Sequence, residues 1–106
     1  MKQKYSYHRH AFPIRNTVEP ELEVVYGWVD FTGLFGFHKN VNGKWNATDL
    51  YTGTRIVTRG TRDACLDWIY ENWEKIEAAQ QEPFYIQRVL EFRNMLKNGL
   101  EELDNE

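Results

Sequence analysis

The sequence predicts one α+β domain, in which an antiparallel β-meander of three to five strands packs against a long amphipathic helix and a C-terminal helix. Short segments rich in β-branched and aromatic residues, separated by glycine-containing turns, fill roughly the first half of the chain. After them, apolar residues recur at helical spacing. A chain of 106 residues has room for a single hydrophobic core.

The N-terminal segment, residues 1–21, is expected to be only partly ordered. Within it, residues 4–12 alternate loosely between polar and apolar types, which predicts an edge strand. Pro13 and Pro20 bracket a predicted loop or turn. Residues 22–31 are so rich in β-branched and aromatic types that we predict a strand buried on nearly both faces, ended by Thr32-Gly33.

Two glycine-terminated loops organise the centre of the chain. Residues 41–43 and 51–53 each place glycine last, which is typical of a three-residue hairpin loop with a bulge. The resulting register sets Asp49 beside Arg55. Further strands are therefore predicted at residues 34–40, 44–50 and 54–59. One face of this sheet is predicted to carry Phe35, Phe37, Trp45, Ala47 and Val57.

A helix is predicted from Thr61 to about Ala79. Thr61 suits the N-cap, and an acidic residue in the first turn complements the helix dipole. Apolar and acidic residues then separate onto two sides, as in an amphipathic helix. The apolar side carries Cys65, Leu66, Ile69, Trp73 and Ile76. The acidic side carries Asp63, Asp67, Glu71 and Glu74, with Glu77 beside them.

A second helix is predicted to begin at Pro83, because proline suits the first helical turn. Ile86 and Leu90 are expected to widen its apolar stripe. Gly99 is the predicted C-cap, and residues 100–106 are expected to form a frayed acidic tail. The stripe itself consists of Tyr85, Val89, Phe92 and Leu96.

Charge is divided unevenly along the chain. The first 62 residues hold nine Lys/Arg against five Asp/Glu, whereas the rest hold four against eleven. No apolar run is long enough to span a membrane, and the N-terminus lacks the apolar stretch of a signal peptide. A single cysteine, Cys65, excludes an internal disulfide. These features predict a cytoplasmic protein with no membrane association.

Catalytic chemistry has little support in the sequence. Ser6 is the only serine, and Cys65 lies on the apolar side of a predicted helix, where a thiol is not activated. Glycine-rich phosphate loops are absent. His8 and His10 would share one side of a strand and His38 could join them, but no ligand spacing completes a metal site. We therefore predict a protein that is not an enzyme, with no cofactor and no metal.

Two charged surfaces remain as candidate binding sites. Cations interleaved with aromatics around the meander are typical of a small RNA- or single-strand-binding module. The predicted residues are Lys39, Lys44, Trp45, Arg55, Arg59 and Arg62. The carboxylates of the predicted acidic helix face, spaced about 5–6 Å per helical step, resemble a row of phosphates. Such a row would enter the basic channel of a nucleic-acid enzyme, and its residues are Asp63, Asp67, Glu71, Glu74 and Glu77.

The stretch 44–64 resembles a unit found in short proteins of Gram-positive phages and plasmids. Its marks are a tryptophan-led strand, a Thr-Gly turn, a second strand, and Gly60-Thr61-Arg62-Asp63-Ala64 opening a helix. Some small proteins of those elements are anti-CRISPR inhibitors of Cas9. The resemblance implies a β-hairpin–helix unit and an inhibitor in the bacterial cytoplasm, with Cas9 or another nucleic-acid enzyme as its protein partner. It carries over no binding residue. A structural or regulatory phage protein is a further alternative.

Overall fold

The computed structural model describes residues 4–15 and 21–104, the last five of these as backbone only. Five antiparallel strands follow one another across a single sheet, and three helices follow the last strand. This arrangement confirms the predicted α+β meander. The strands are β1 (Tyr7–Arg15), β2 (Leu22–Asp30), β3 (Phe35–Lys39), β4 (Trp45–Asp49) and β5 (Thr54–Arg59). The helices are α1 (Arg62–Glu71), α2 (Trp73–Gln80) and α3 (Pro83–Asp104).

Strand β1 forms one edge of the sheet, as predicted, but it runs on to Arg15. The turn predicted to begin at Pro13 is wrong, because Pro13 lies within the strand and opposite Val24. An edge strand tolerates proline because half of its N–H groups have no partner strand. The remainder of that predicted turn, residues 16–20, lies outside the described residues, as do residues 1–3.

Strand β2 bends away from its inner neighbour. It pairs with β1 along its whole length but with β3 only through Trp28 and Val29. At the bend, a Cβ on Gly27 would lie 2.1 Å from the carbonyl oxygen of Phe37. Only glycine allows the two backbones to approach so closely, and the outer half of the β1–β2 hairpin diverges beyond this point.

The diverging hairpin curls over the sheet. The Phe12 ring lies against Gly36, where an added Cβ would be 2.7 Å from the ring. At the end of β1, the Arg15 backbone N–H donates to the carbonyl oxygen of Gly53 at 2.8 Å, so the first strand reaches the loop before the last strand. The sheet is therefore strongly curved.

The prediction that residues 22–31 are buried on both faces is wrong for the outer half of β2. Val24 and Tyr26 are 63% and 84% exposed. Helix α1 packs against β4 and β5, away from Val24 and Tyr26. Composition alone does not distinguish a covered aromatic strand from an uncovered one.

The predicted register of the β3–β4 hairpin is confirmed. Gly43 has φ +79°, and the Asn40 N–H donates to the Lys44 carbonyl oxygen at 2.8 Å. Phe37 lies opposite Ala47, as the three-residue loop requires. The five predicted residues do share the face that packs against α1, where all are buried except the half-buried Trp45.

The β4–β5 register is confirmed only in part. Val57 lies opposite Ala47 as predicted, but a bulge then shifts the pairing. Asp49 lies opposite Thr54, and Arg55 lies opposite Thr48, so the predicted Asp49–Arg55 neighbour pair does not form. The extra residue of a bulge reverses the faces of the side chains beyond it, which here are those of Thr54 and Arg55.

Helix α1 completes the core. The Thr61 hydroxyl accepts from the Ala64 N–H at 3.0 Å, which confirms the predicted N-cap. Cys65, Leu66 and Ile69 are fully buried against the sheet. The predicted apolar side of this helix is therefore its packing face.

The single helix predicted from Thr61 to Ala79 is wrong, because it is divided at Asn72. The Asn72 backbone N–H and its Nδ2 both donate to the Trp68 carbonyl oxygen, at 3.0 and 2.9 Å. Asparagine makes local side-chain contacts of this kind near helix boundaries, and the hydrophobic period does not reveal them. Helix α2 begins at the next residue.

Helix α3 begins at Pro83 and turns the predicted stripe inward: Phe92 is buried, at 1% exposed, and Tyr85, Val89 and Leu96 are half-buried. Ile86 and Leu90 do not widen that stripe, since both are 55% exposed. Gly99 is not a C-cap, because the helix continues to Asp104. The tail expected to fray from residue 100 is thus helical to Asp104, and residues 105–106 lie outside the described part. Among described helices, none is long and apolar enough to cross a membrane.

Candidate functional site

The N-terminal segment occupies half of the predicted acidic face. The Tyr7 hydroxyl donates to Asp63 at 2.7 Å. Lys4 Nζ lies 2.8 Å from Asp67, which also accepts from the Tyr5 hydroxyl. The Lys4 hydrogen bond, and then that of Tyr5, lowers the pKa of Asp67, while the carboxylate raises the pKa of Tyr5 to about 12. Both carboxylates thus already have partners within the molecule.

The other half of the acidic face is free within the described part of the chain. Glu71, Glu74 and Glu77 are exposed, and none of them takes part in an ion pair with a described residue. They are divided between α1 and α2 by the break at Asn72. The five carboxylates therefore do not lie on one continuous helix, as the prediction required.

The register gathers part of the predicted basic set into a row across three strands. Lys39 lies opposite Trp45, and Trp45 lies opposite Arg59, so the three side chains share one face. Arg55 points to the opposite face because the β5 bulge places it across from Thr48. Lys44 is exposed in the β3–β4 turn.

Arg62 joins this row from the start of α1. Its guanidinium carbon lies 4.4 Å from the ring centre of Tyr7, 4.5 Å from that of Trp28 and 5.9 Å from that of Trp45. Arg62 is the first residue of α1 and directly follows the N-cap Thr61, whose backbone is extended. A shallow cleft of about 440 Å³ opens here. Its lining is Trp28, Trp45, Thr61, Arg62 and Asp63.

Two further cations belong to the same region. Arg9, opposite Trp28 in the β1–β2 pair, lies 5.6 Å from that indole. Arg59 lies 5.8 Å from the Trp68 ring, while its guanidinium donates to the Thr58 carbonyl oxygen. We refer to the whole region as the cation–aromatic surface. It comprises Arg9, Lys39, Arg59 and Arg62 with Tyr7, Trp28, Trp45 and Trp68.

Sequence reasoning missed Arg9, Tyr7, Trp28 and Trp68 as members of this surface. Arg9 and Trp28 meet through the β1–β2 register, which the sequence analysis did not predict. The alternation of Tyr7 and Arg9 on one side of β1 was the available signal. Phe37, on the same sheet face as Trp45, is fully buried in the core and is not part of this surface.

Positive charge dominates the cation–aromatic surface. Its four cations form no ion pair with a carboxylate of the described residues. The adjacent carboxylate, Asp63, accepts the hydrogen bond of Tyr7. Burial, and then this contact, raises the pKa of Tyr7 well above its usual range. Stacking occupies the faces of a guanidinium and leaves N–H donors at its edges, so an anion can bind there.

Residues that sequence reasoning considered for metal or nucleophilic chemistry do not converge. The His8 and His10 rings are 6.2 Å apart and exposed, whereas His38 packs against Phe12. Within the described ranges, no three His, Cys, Asp or Glu side chains are grouped to hold a metal. Cys65 is buried and its thiol donates to the Trp45 carbonyl oxygen at 3.4 Å. Burial raises the pKa of this thiol.

No protein-family model matches this chain, and no curated protein or solved structure is significantly similar to it. The functional argument therefore depends on the geometry of the two charged surfaces.

Proposed function

We propose that this protein is a non-enzymatic binding module whose cation–aromatic surface binds nucleic acid. The observation that carries the proposal is Arg62 stacked between Tyr7 and Trp28, with no ion pair to a described carboxylate. Arginine held on an aromatic face keeps its N–H edges available for a phosphate, and its side chain is already ordered. The cost of ordering it on binding is reduced accordingly.

The positions of the other cations support a phosphate-binding path. Arg9 comes from β1, Lys39 from β3 and Arg59 from β5, and each is exposed. Arg62, from α1, lies between Arg9 and the row formed by Lys39, Trp45 and Arg59. Its guanidinium lies over Trp28, which Arg9 also contacts, and near Trp45, which belongs to the row. The net charge of −3 does not oppose this, because charge beyond a Debye length of about 8 Å is largely screened at physiological salt.

Fluorescence anisotropy with a labelled oligonucleotide of mixed sequence, titrated between 50 and 200 mM salt, tests the proposal. Arg59→Gln removes an exposed charge from the surface, so we expect weaker binding. The magnitude of the negative slope of log affinity against log salt should fall by about 0.7 for each single-strand phosphate that the variant no longer neutralises. Arg59 is preferred to Arg62 because it is exposed, so the fold is retained.

Arg55→Gln is the matched control. It makes the same charge change on the same strand, but Arg55 lies on the opposite sheet face. We expect it to leave affinity and salt slope almost unchanged. Equal losses of affinity for the two variants, or no binding by the unmodified protein at 50 mM salt, would refute the proposal.

A second function is favoured by a separate observation, the exposed and unpaired Glu71, Glu74 and Glu77 among the described residues. In this proposal the chain is an inhibitor from a phage or plasmid, and it acts in the bacterial cytoplasm. Its carboxylates would occupy the basic channel of a nucleic-acid enzyme such as Cas9. Asp63 and Asp67 contribute less, because Tyr7, Lys4 and Tyr5 already engage them.

Reversing the three glutamates to lysine tests this second proposal. We expect loss of binding to Cas9 in an interferometry assay, together with loss of any inhibition of target cleavage. Glu82→Lys, which changes an exposed glutamate in the turn between α2 and α3, is the control. Undiminished inhibition by the triple variant would exclude the acidic face as the inhibitory surface.

A further inference from the structure

We infer that the nucleic acid bound by the cation–aromatic surface is single-stranded, and that one unpaired base stacks on Tyr26. This inference rests on the proposed nucleic-acid function and names its substrate class. Tyr26 is not one of the residues that the sequence indicated for binding. It is also the most exposed aromatic side chain of the described residues, at 84%.

Tyr26 lies next to the cation–aromatic surface. It is two residues from Trp28 on β2, so the two side chains project from the same face at a separation of about 7 Å. Its cross-strand neighbour is Ala11, whose small side chain cannot cover the ring. A second cleft of about 230 Å³ lies beside it, lined by Arg9, His10, Ala11, Tyr26 and Gly27.

Arg9 connects the two clefts. It lines the Tyr26 cleft, and its guanidinium lies over Trp28, which lines the Arg62 cleft. When a phosphate of a bound nucleic-acid strand contacts Arg9, the base next to that phosphate would therefore lie over Tyr26. The neighbouring rings of Tyr7 and Trp28 are already covered by guanidinium groups, whereas no described cation lies over Tyr26.

An open aromatic face distinguishes unpaired from paired bases. In a duplex, each base is stacked against its neighbours, so its faces do not reach a flat side chain on a protein surface. Unpaired bases can turn outward and stack on tyrosine without regard to sequence. A purely electrostatic surface would bind both forms through their phosphates. The exposed ring beside the cations therefore favours a single strand.

The test compares three 12-nucleotide probes by fluorescence anisotropy at one salt concentration. They are oligothymidylate, its duplex with oligoadenylate, and an abasic strand that carries phosphates but no bases. Stacking of one base contributes roughly 5- to 150-fold in affinity. We expect oligothymidylate to bind more tightly than the abasic strand by a factor in this range.

Tyr26→Ala should abolish that difference, while Tyr26→Phe, which keeps the ring, should preserve it. Tyr51→Ala is the matched control, because Tyr51 is an exposed tyrosine in the loop between β4 and β5. Since Tyr26 is 84% exposed, its removal leaves the core intact.

The outcomes distinguish failure of base stacking on Tyr26 from failure of nucleic-acid binding by the cation–aromatic surface. If the abasic strand or the duplex binds as tightly as oligothymidylate, or if Tyr26→Ala binds oligothymidylate normally, base stacking is excluded. In that case weakened binding by Arg59→Gln would still support nucleic-acid binding itself. If none of the three probes binds, both the base-stacking proposal and the nucleic-acid-binding proposal fail.

Discussion

Two loop glycines provide a matched test of how α3 is held against the sheet. Gly43 and Gly53 both adopt left-handed backbone conformations, with φ of +79° and +70°, at the ends of equivalent hairpin loops. An added Cβ on Gly43 meets nothing within 4 Å. On Gly53 it would lie 2.4 Å from the edge of the Phe92 ring and 3.0 Å from the Arg15 nitrogen.

The free-energy costs of the two alanine substitutions follow from this difference. Gly43→Ala should cost about 1–2 kcal/mol, the penalty of a left-handed conformation for an L-residue. Gly53→Ala should cost this amount and about 1–3 kcal/mol more, because Phe92 is buried and has little room to shift. The backbone nitrogen of Arg15 cannot move independently of β1.

Urea and thermal denaturation followed by circular dichroism measure both costs. Each kcal/mol should lower the melting temperature by about 4–8 °C for a domain of this size. Adding Phe92→Leu to Gly53→Ala should recover part of the stability, whereas adding it to Gly43→Ala should not. Equal destabilisation by the two alanine variants would refute the proposed contact between the β4–β5 loop and α3.

Other predictions concern buried groups. Burial lowers the pKa of His38, whose Nδ1 has no hydrogen-bond partner among the described residues, so the unfolded chain binds the proton more readily than the folded one. The free energy of unfolding should therefore fall as pH drops below about 6.5, and His38→Gln should flatten this part of a urea-denaturation pH profile. Tyr85→Phe removes a 2.7 Å hydrogen bond to the buried Asp49 and should cost about 1–3 kcal/mol in the same assay. Tyr70→Phe should cost much less, because Tyr70 is exposed. The Cys65 thiol should react with Ellman's reagent only after unfolding, because it is fully buried; rapid reaction in native buffer would contradict its position.

Some of the fold could be predicted because its causes are local. The length of the 41–43 loop and its final glycine determine the register of β3 with β4, and hence the shared face of Phe35, Phe37 and Ala47. Thr61 and Pro83 mark helix starts through hydrogen-bonding and backbone constraints that act within a few residues. The stripe through Phe92 follows from helical periodicity.

Local competition explains the wrong predictions within individual elements. The predicted helix is divided at Asn72, whose side chain shares the Trp68 carbonyl oxygen with its own backbone N–H, a local contact that hydrophobic spacing does not reveal. Gly99 does not end α3, since a single glycine costs a helix only about 1 kcal/mol. The β5 bulge moves Arg55 away from Asp49.

The candidate binding surfaces were decided only by tertiary structure. The sequence by itself determined that the cations lie around the meander and the acids along the helices. It did not determine which charges remain free, because Lys4 and Asp67 meet only when the N-terminal segment crosses the folded helix. The stacking of Arg62 on Trp28 likewise needs the β1–β2 hairpin to lie beside α1. Both contacts join residues far apart in the chain, and no local preference specifies them.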